Sequence, residues 1–152
     1  MPPYSPVWAY RWSDAREALD TLVRTAAPDA SHGHLLRYAS PANGGEVLPT
    51  MGCRLQLLPK GFRTQAHRST TSAVYHVAEG CGYSIMNGTR FDWQMGDTFA
   101  VPIWCWQEHA ATTADGVLFS FTDEPILAPL GLVRSQPYSD NGGHQSIQAP
   151  VQ

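Results

Sequence analysis

Cysteine, charge and long apolar runs are all scarce in this chain of 152 residues. The three cysteines, Cys53, Cys81 and Cys105, form no Cys-x-x-Cys pair, which argues against a disulfide framework and for reduced thiols in a cytoplasmic protein. Charged residues make up only 15% of the chain and its formal net charge is −3, so neither nucleic acid nor a membrane surface is expected as a partner. No apolar stretch is long enough to span a membrane, and residues 1–5 do not begin a signal peptide.

Glycine and proline are frequent by contrast, with 13 and 12 residues, and a chain of this length is expected to fold as one domain. Together they favour a compact, turn-rich β protein. Alternating segments predict short strands, which we place at 50–58, 62–70, 74–78, 83–86, 90–93, 98–101, 107–111 and 117–121. Asn87-Gly88 predicts a two-residue hairpin turn, and the regular strand spacing predicts a barrel or sandwich.

One long helix is predicted between residues 13 and 27, with Ser13 as its N-cap. Its apolar residues recur at helical spacing; they are Ala15, Ala18, Leu19, Leu22 and Val23. A short helix is predicted at 126–130, with Gly131 at its end. We therefore divide the chain into an N-terminal arm, helix and loop at 1–49, a barrel with its C-terminal helix at 50–135, and a disordered tail at 136–152.

Two segments carry the most specific pattern in the sequence. The first spans residues 61–80 and includes His67-Arg68-Ser69, and the second spans residues 96–109 and includes Val101-Pro102 and Gln107. Together they resemble the paired signature of the cupin superfamily. The resemblance implies an all-β fold class: a single cupin double-stranded β-helix, or jelly-roll, barrel with an N-terminal helix and a short C-terminal helix.

Aromatic and charged residues in and around these motifs narrow the resemblance. The segments Phe62-Arg63-Thr64-x-x-His67-Arg68, Arg90-Phe91-Asp92-Trp93 and Gly96-Asp97-x-Phe99-x-Val101-Pro102-x-Trp104-x-Trp106 are similar to the gentisate 1,2-dioxygenase family, which includes salicylate and hydroxynaphthoate dioxygenases. The similarity covers residues 4–135 and corresponds to the C-terminal half of much longer family members. In that family three histidines of the N-terminal cupin hold iron(II), so no cofactor is expected in this domain.

The resemblance maps the four metal-ligand positions of a cupin barrel onto His67, Ser69, Ala73 and Gln107. A serine hydroxyl and a carboxamide are poor ligands for iron(II), so tight iron binding is not expected here. His67 remains as a residual ligand, and Gln107 and His109 are weak candidates that could help it to hold zinc, copper or nickel. The alternative is that His109 is a hydrogen-bonded core histidine.

The inward-facing positions of the two motifs define a candidate pocket. Its residues are Arg63, Gln65, His67, Ser69, Tyr75, Trp104, Trp106, Gln107 and His109. An arginine and a histidine beside aromatic walls suit a carboxylated aromatic ring, which Arg63 could hold through two hydrogen bonds. The alternative is that Arg63 forms a structural ion pair and that the tryptophans, Trp93 included, pack in the core or an interface. No residue pattern identifies a catalytic group.

Two functions are compatible with these observations. In the first, the chain is a gentisate 1,2-dioxygenase-like protein that corresponds to the second, non-catalytic cupin; it is then inactive alone and works with a separate catalytic cupin. In the second, it is a free-standing, metal-free cupin that binds a small aromatic acid or serves in oligomerisation. An unpaired barrel edge and a tryptophan-rich surface predict a homo-oligomer, at least a dimer, in either case.

Overall fold

Two five-stranded antiparallel sheets make up most of the protein, whose computed structural model describes residues 9–148. Helix α1 spans Trp12–Thr25, and a single-turn helix, α2, spans Glu124–Leu127. The strands are, in chain order, β1 (His34–Arg37), β2 (Gly52–Leu58), β3 (His67–Ser69), β4 (Ala73–Glu79), β5 (Cys81–Met86), β6 (Thr89–Gln94), β7 (Thr98–Val101), β8 (Gln107–Ala111), β9 (Gly116–Thr122) and β10 (Ser135–Pro137). Neither helix in residues 9–148 is long and apolar enough to cross a membrane.

The two sheets pack face to face around a shared core. Their strand orders are β1-β2-β9-β4-β7 and β10-β3-β8-β5-β6. One buried cluster takes Leu58, Val77 and Leu118 from the first sheet and Trp93 and Ala111 from the second, so the inner faces meet there. The all-β jelly-roll prediction is confirmed by this arrangement.

The hairpin turn at Asn87-Gly88 forms where the sequence predicts it. Strands β5 and β6 pair directly across it, with Met86 opposite Thr89. Asn87 and Gly88 have φ angles of 47° and 82°, and a two-residue type I′ turn requires positive φ at both positions. Strands β7 and β8 also have the predicted bounds.

Two strand predictions differ from the structure. Strand β1 lies in the segment 28–49, which the sequence analysis treats as loop, and it pairs along its whole length with β2. The strand predicted at 62–70 is reduced to His67–Ser69. Before it the backbone N–H groups of Thr64, Gln65 and Ala66 donate in turn to the carbonyls of His109, Ala30 and Gly143, so residues 64–66 have three different partners rather than one strand.

Helix α1 packs on the outside of the first sheet through one fully buried residue. Leu19 has no exposed surface and joins Leu55, Leu57 and Val117 in a second core cluster. The predicted N-cap is wrong by two positions, because the helix begins at Trp12 with Arg11 as its N-cap. The Ser13 hydroxyl instead donates to the Asp14 carboxylate within the first turn, which removes it from backbone capping.

The C-terminal segment differs from the predicted disordered tail. Strand β10 pairs with β3, and the backbone N–H of Tyr138 donates to Ala66. Gln145 is buried, where its side chain bonds to the backbone of Ile85 and Gly88. These contacts are polar and leave no apolar periodicity in the sequence, so the pattern could not indicate them. Residues 1–8 of the predicted arm and 149–152 of the predicted tail lie outside the described residues.

Candidate functional site

A cavity of about 350 Å³ opens between the inner faces of the sheets. Four strands each contribute two residues that are two positions apart, because such side chains share a strand face. These pairs are Arg54 and Gln56 (β2), His67 and Ser69 (β3), Ala73 and Tyr75 (β4), and Ser120 and Thr122 (β9). The rest of the lining comes from Gln107 of β8 and from Ser31, His32, Leu35, Thr71, Glu124, Val133, Ser135, Gln136 and Pro137. Twelve of these 18 residues carry a hydroxyl, amide or imidazole group.

The four positions that the resemblance assigns to cupin metal ligands all lie on the cavity wall. His67 is directly opposite Gln107 in the pairing of β3 with β8, and Ser69 and Ala73 lie nearby on the lining. The Ser69 hydroxyl oxygen is within 3.2 Å of the Thr71 backbone nitrogen and 3.0 Å of the Thr71 hydroxyl, so it is already engaged locally. All four positions therefore face the same cavity.

The residues at these positions do not fit an iron(II) ion held by three histidines. His67 is the only strong ligand among the four, and a hydroxyl, a methyl and a carboxamide occupy the others. Within residues 9–148 no group of three or more His, Cys, Asp or Glu side chains is placed to hold a metal ion. Burial, followed by the nearby His32, lowers the pKa of His67 to about 4, so its ring is neutral at pH 7.

His109, a predicted pocket residue and weak metal candidate, lies beneath the cavity wall in a buried hydrogen-bond chain. Trp93 Nε1 donates to Ser84 Oγ at 3.0 Å, and Ser84 Oγ lies 2.7 Å from His109 Nδ1. On the other side, His109 Nε2 and the Tyr75 hydroxyl both reach Gln107 Oε1. Burial lowers the pKa of His109 to about 3, so the ring is neutral. Both its nitrogens are occupied, which supports the alternative of a core histidine.

The arginine in the cavity is Arg54, not the predicted Arg63. Arg63 Nε donates to Glu108 Oε2 at 2.8 Å, and the same oxygen lies 3.0 Å from His144 Nδ1. This contact raises the pKa of Arg63, because the hydrogen bond to the buried Glu108 stabilises the cation. Arg63 thus forms a structural ion pair and is absent from the described cavity lining. Arg54 lines the cavity and forms an ion pair with Glu124.

Three other predicted pocket residues also lie outside the cavity lining. Trp104 and Trp106 flank Arg68, whose guanidinium carbon lies 4.4 Å from the centre of each ring. Gln65 is exposed and packs beside Gly143. The chain turns between β7 and β8, where Trp104 has a φ of 59°, so Trp104 and Trp106 do not belong to a strand face.

The chain is similar in sequence to bacterial 1,2-dioxygenases. It is 43% identical over 147 residues to 5-aminosalicylate 1,2-dioxygenase of Comamonas sp., covering 96% of this chain and 39% of that protein. It is 40% identical over 130 residues to gentisate 1,2-dioxygenase 1 of Aquipseudomonas alcaligenes, covering 86% and 37%. No family model matches the sequence.

Solved structures agree with these relatives. The fold matches salicylate 1,2-dioxygenase from Pseudaminobacter salicylatoxidans with a TM-score of 0.80 and 30% identity, over 90% of this chain and 43% of that one. A cupin 2 domain-containing protein from Halorhodospira halophila matches at a TM-score of 0.55 and 16% identity, over 65% and 69%, which supports the fold alone. The chain has a cupin fold and is related to the gentisate and salicylate 1,2-dioxygenases. This cupin spans about two fifths of the length of the curated relatives that it matches.

Several cavity residues of this dioxygenase-like cupin are missing from the predicted pocket. They are His32, Arg54, Gln56, Ser120 and Thr122, among others. Strand alternation could have indicated the last four, since Arg54 and Gln56, like Ser120 and Thr122, are polar residues two apart in strands that are otherwise largely apolar. His32 lies in the segment treated as loop, and no sequence signal places it at the cavity.

Proposed function

We propose that this chain acts as the non-catalytic cupin of a gentisate-type ring-cleaving dioxygenase, together with a histidine-complete cupin that holds the iron. The observation that carries the proposal is the cavity wall itself: the barrel is retained, while Ser69 and Gln107 occupy ligand positions beside His67. The relatives, which are about two and a half times as long, have room for a second barrel. The C-terminal half of those relatives is the region to which we assign this chain.

In this role the chain would contribute packing surface rather than chemistry. Met95, Ile103, Leu130 and Leu132 are more than half exposed, and large exposed apolar side chains favour association with a partner. Strand β7 lies at the edge of its sheet, and none of the described strands pairs with its outer side. A partner could therefore pair with it there. We therefore propose at least a dimer, formed with a catalytic cupin or with a second copy, in the cytoplasm.

The experiment is an exchange of segments within a whole enzyme. The part of the Comamonas 5-aminosalicylate dioxygenase that matches this chain is replaced by the chain, and iron content and ring-opening product are compared with the natural enzyme. The chimera should keep both, whereas a matched chimera carrying Leu118→Asp, which places a charge in the shared core, should lose both. The isolated chain should hold little iron and form no product. Stoichiometric iron with turnover in the isolated chain would contradict the proposal.

The cavity supports a second candidate, a cupin that binds a small aromatic acid. Arg54 can hold a carboxylate through two hydrogen bonds, and Tyr75, stacked on Phe99 with ring centres 5.2 Å apart, offers an aromatic wall. The acid must compete with Glu124 for Arg54, so only weak binding is expected. Calorimetry with gentisate and salicylate should show binding that Arg54→Met abolishes and that Arg90→Met, at an arginine outside the cavity lining, leaves intact. Equal loss in both variants would exclude the cavity as the site.

A further inference from the structure

Two histidine rings lie close together in the cavity wall, and one of them is outside both cupin motifs. His32 lies in the loop before β1 and His67 begins β3, and both line the cavity. Their ring centres are 4.9 Å apart with the planes tilted by 49°. Two imidazoles this close can hold one ion between them if each has a free nitrogen that faces it.

Asp29 determines which nitrogen of His32 is free. Its carboxylate oxygen Oδ1 accepts hydrogen bonds from the backbone N–H groups of Ser31 at 2.9 Å and His32 at 3.0 Å. The same oxygen lies 3.0 Å from Nδ1 of His32. A carboxylate oxygen that accepts from two backbone N–H groups also acts as the acceptor toward the ring. Nδ1 of His32 must therefore donate, and in the neutral ring Nε2 carries the lone pair.

This carboxylate–imidazole contact is the arrangement that commonly orients metal-binding histidines, because the outer hydrogen bond fixes the ring and raises its basicity. On the other ring, Nδ1 of His67 is buried and has no hydrogen-bond partner, which leaves Nε2 as the nitrogen that an ion can reach. His109 cannot take part, since both its nitrogens are already engaged.

We propose that His32 and His67 form a two-histidine site for a divalent transition metal such as Cu²⁺, Ni²⁺ or Zn²⁺, with water completing the coordination shell. Imidazole suits these three ions, and Cu²⁺ should bind most tightly of the series. The site is independent of the proposed dioxygenase role, because it uses a residue outside the cupin motifs and assigns no chemistry to the ion.

The test is calorimetric titration of the full, tag-free chain with Cu²⁺, Ni²⁺ and Zn²⁺. His32→Ala and His67→Ala should each weaken binding by at least about tenfold, and Asp29→Asn by about tenfold, the usual scale for an outer-shell partner. His76→Ala is the matched control, because His76 is exposed on the other strand face and contacts Thr98. Electron paramagnetic resonance of the Cu²⁺ form should show two coupled nitrogens in the natural chain and one in either alanine variant.

The absence of saturable binding in the natural chain would overturn the site, as would unchanged affinity in His32→Ala. His32 lies in a loop and its side chain is 41% exposed, so its removal should leave the fold intact, which circular dichroism checks. The segment exchange described for the dioxygenase role has a separate readout. If the chimera lost turnover, the metal affinity of the chain would be unchanged. If the chain did not bind metal, the turnover expected of the chimera would be unchanged.

Discussion

The side-chain oxygen Oε1 of Gln107 lies 3.2 Å from Nε2 of His109 and 3.3 Å from the Tyr75 hydroxyl. The hydroxyl donates, and the neutral His109 ring can also donate from Nε2 if Nδ1 accepts from Ser84. One carbonyl oxygen thus receives two hydrogen bonds. At the position where a cupin ligand would stand, Gln107 instead holds a buried histidine in one tautomer.

Restoring histidines at the two substituted ligand positions should create a metal site. Ser69→His, Gln107→His should raise affinity for Fe²⁺ and Zn²⁺ by more than about tenfold, because three imidazoles would converge on the cavity. The same double variant should lose about 1–3 kcal/mol of stability, since His109 and Tyr75 lose their shared acceptor. Calorimetry and urea unfolding measure the two effects. Adding His67→Ala is the control and should abolish the gain; a folded double variant without any gain would show that the positions do not converge.

Stability should fall as the pH is lowered through the weakly acidic range. The pKa values of His109 and His67 are lowered to about 3 and about 4 in the folded protein, against about 6.5 in the unfolded chain. Between the folded and unfolded pKa values, the two histidines bind protons only in the unfolded chain. Their contribution to stability is therefore complete above pH 6.5 and is lost as the pH falls toward 4 for His67 and 3 for His109. Urea unfolding should show a slope of up to about 1.4 kcal/mol per pH unit for each histidine.

A single substitution should isolate the part of this slope that comes from His109. His109→Gln should reduce the slope by up to about 1.4 kcal/mol per pH unit. It should also lower stability at pH 7 by about 1–3 kcal/mol, because the hydrogen bond to Ser84 is lost. His76→Gln, on an exposed ring, should change neither quantity. If the two variants have the same pH slope, proton uptake by His109 does not contribute to acid unfolding.

Removal of the Gln145 side chain should loosen the C-terminal segment from the barrel. Gln145 donates to the Ile85 carbonyl and accepts from the Gly88 N–H, both at 2.9 Å and both buried. Gln145→Ala should therefore cost about 1–3 kcal/mol, because the two backbone groups lose their partners. Hydrogen exchange at Gly88 should accelerate. Gln94→Ala, on an exposed side chain, is the matched control and should have little effect on stability.

Gly82 should tolerate no side chain. A Cβ at this position would stand 1.9 Å from the Ala110 carbonyl oxygen and 2.6 Å from the ring of Trp93, so strand β5 would separate from β8 or from its core partner. Gly82→Ala should prevent folding or lower stability by several kcal/mol, of the order of other overpacked cores. Gly45→Ala, where the nearest atom is an exposed Asn43 side chain, should remain folded. Near-UV circular dichroism compares the two.

The sequence predicts the barrel well wherever a strand keeps its alternation. Strand β8 has its predicted bounds, and His67, Ser69 and Gln107 reach the cavity because each stays in phase within its strand. Trp104 and Trp106 lie in the turn between β7 and β8, and they pack around Arg68 instead of lining the cavity.

The errors in the candidate site have a common physical origin. Arg63 does not line the cavity because it pairs with the carboxylate of Glu108. The two residues are 45 positions apart, and no local pattern indicates the pair. The C-terminal segment is held by polar contacts to backbone groups, and His32 reaches the cavity from a loop. Long-range polar pairing leaves no periodic trace in a sequence, so these contacts require the fold to be known.

The two hydrogen bonds at Gln107 Oε1 also set the polarity of the cavity wall. With its oxygen saturated, the carboxamide can offer a ligand only its –NH₂ group, which donates and cannot accept. A histidine ligand at this position would instead present a lone pair. At this point the wall therefore presents a hydrogen-bond donor, which suits an oxygen atom of a guest molecule.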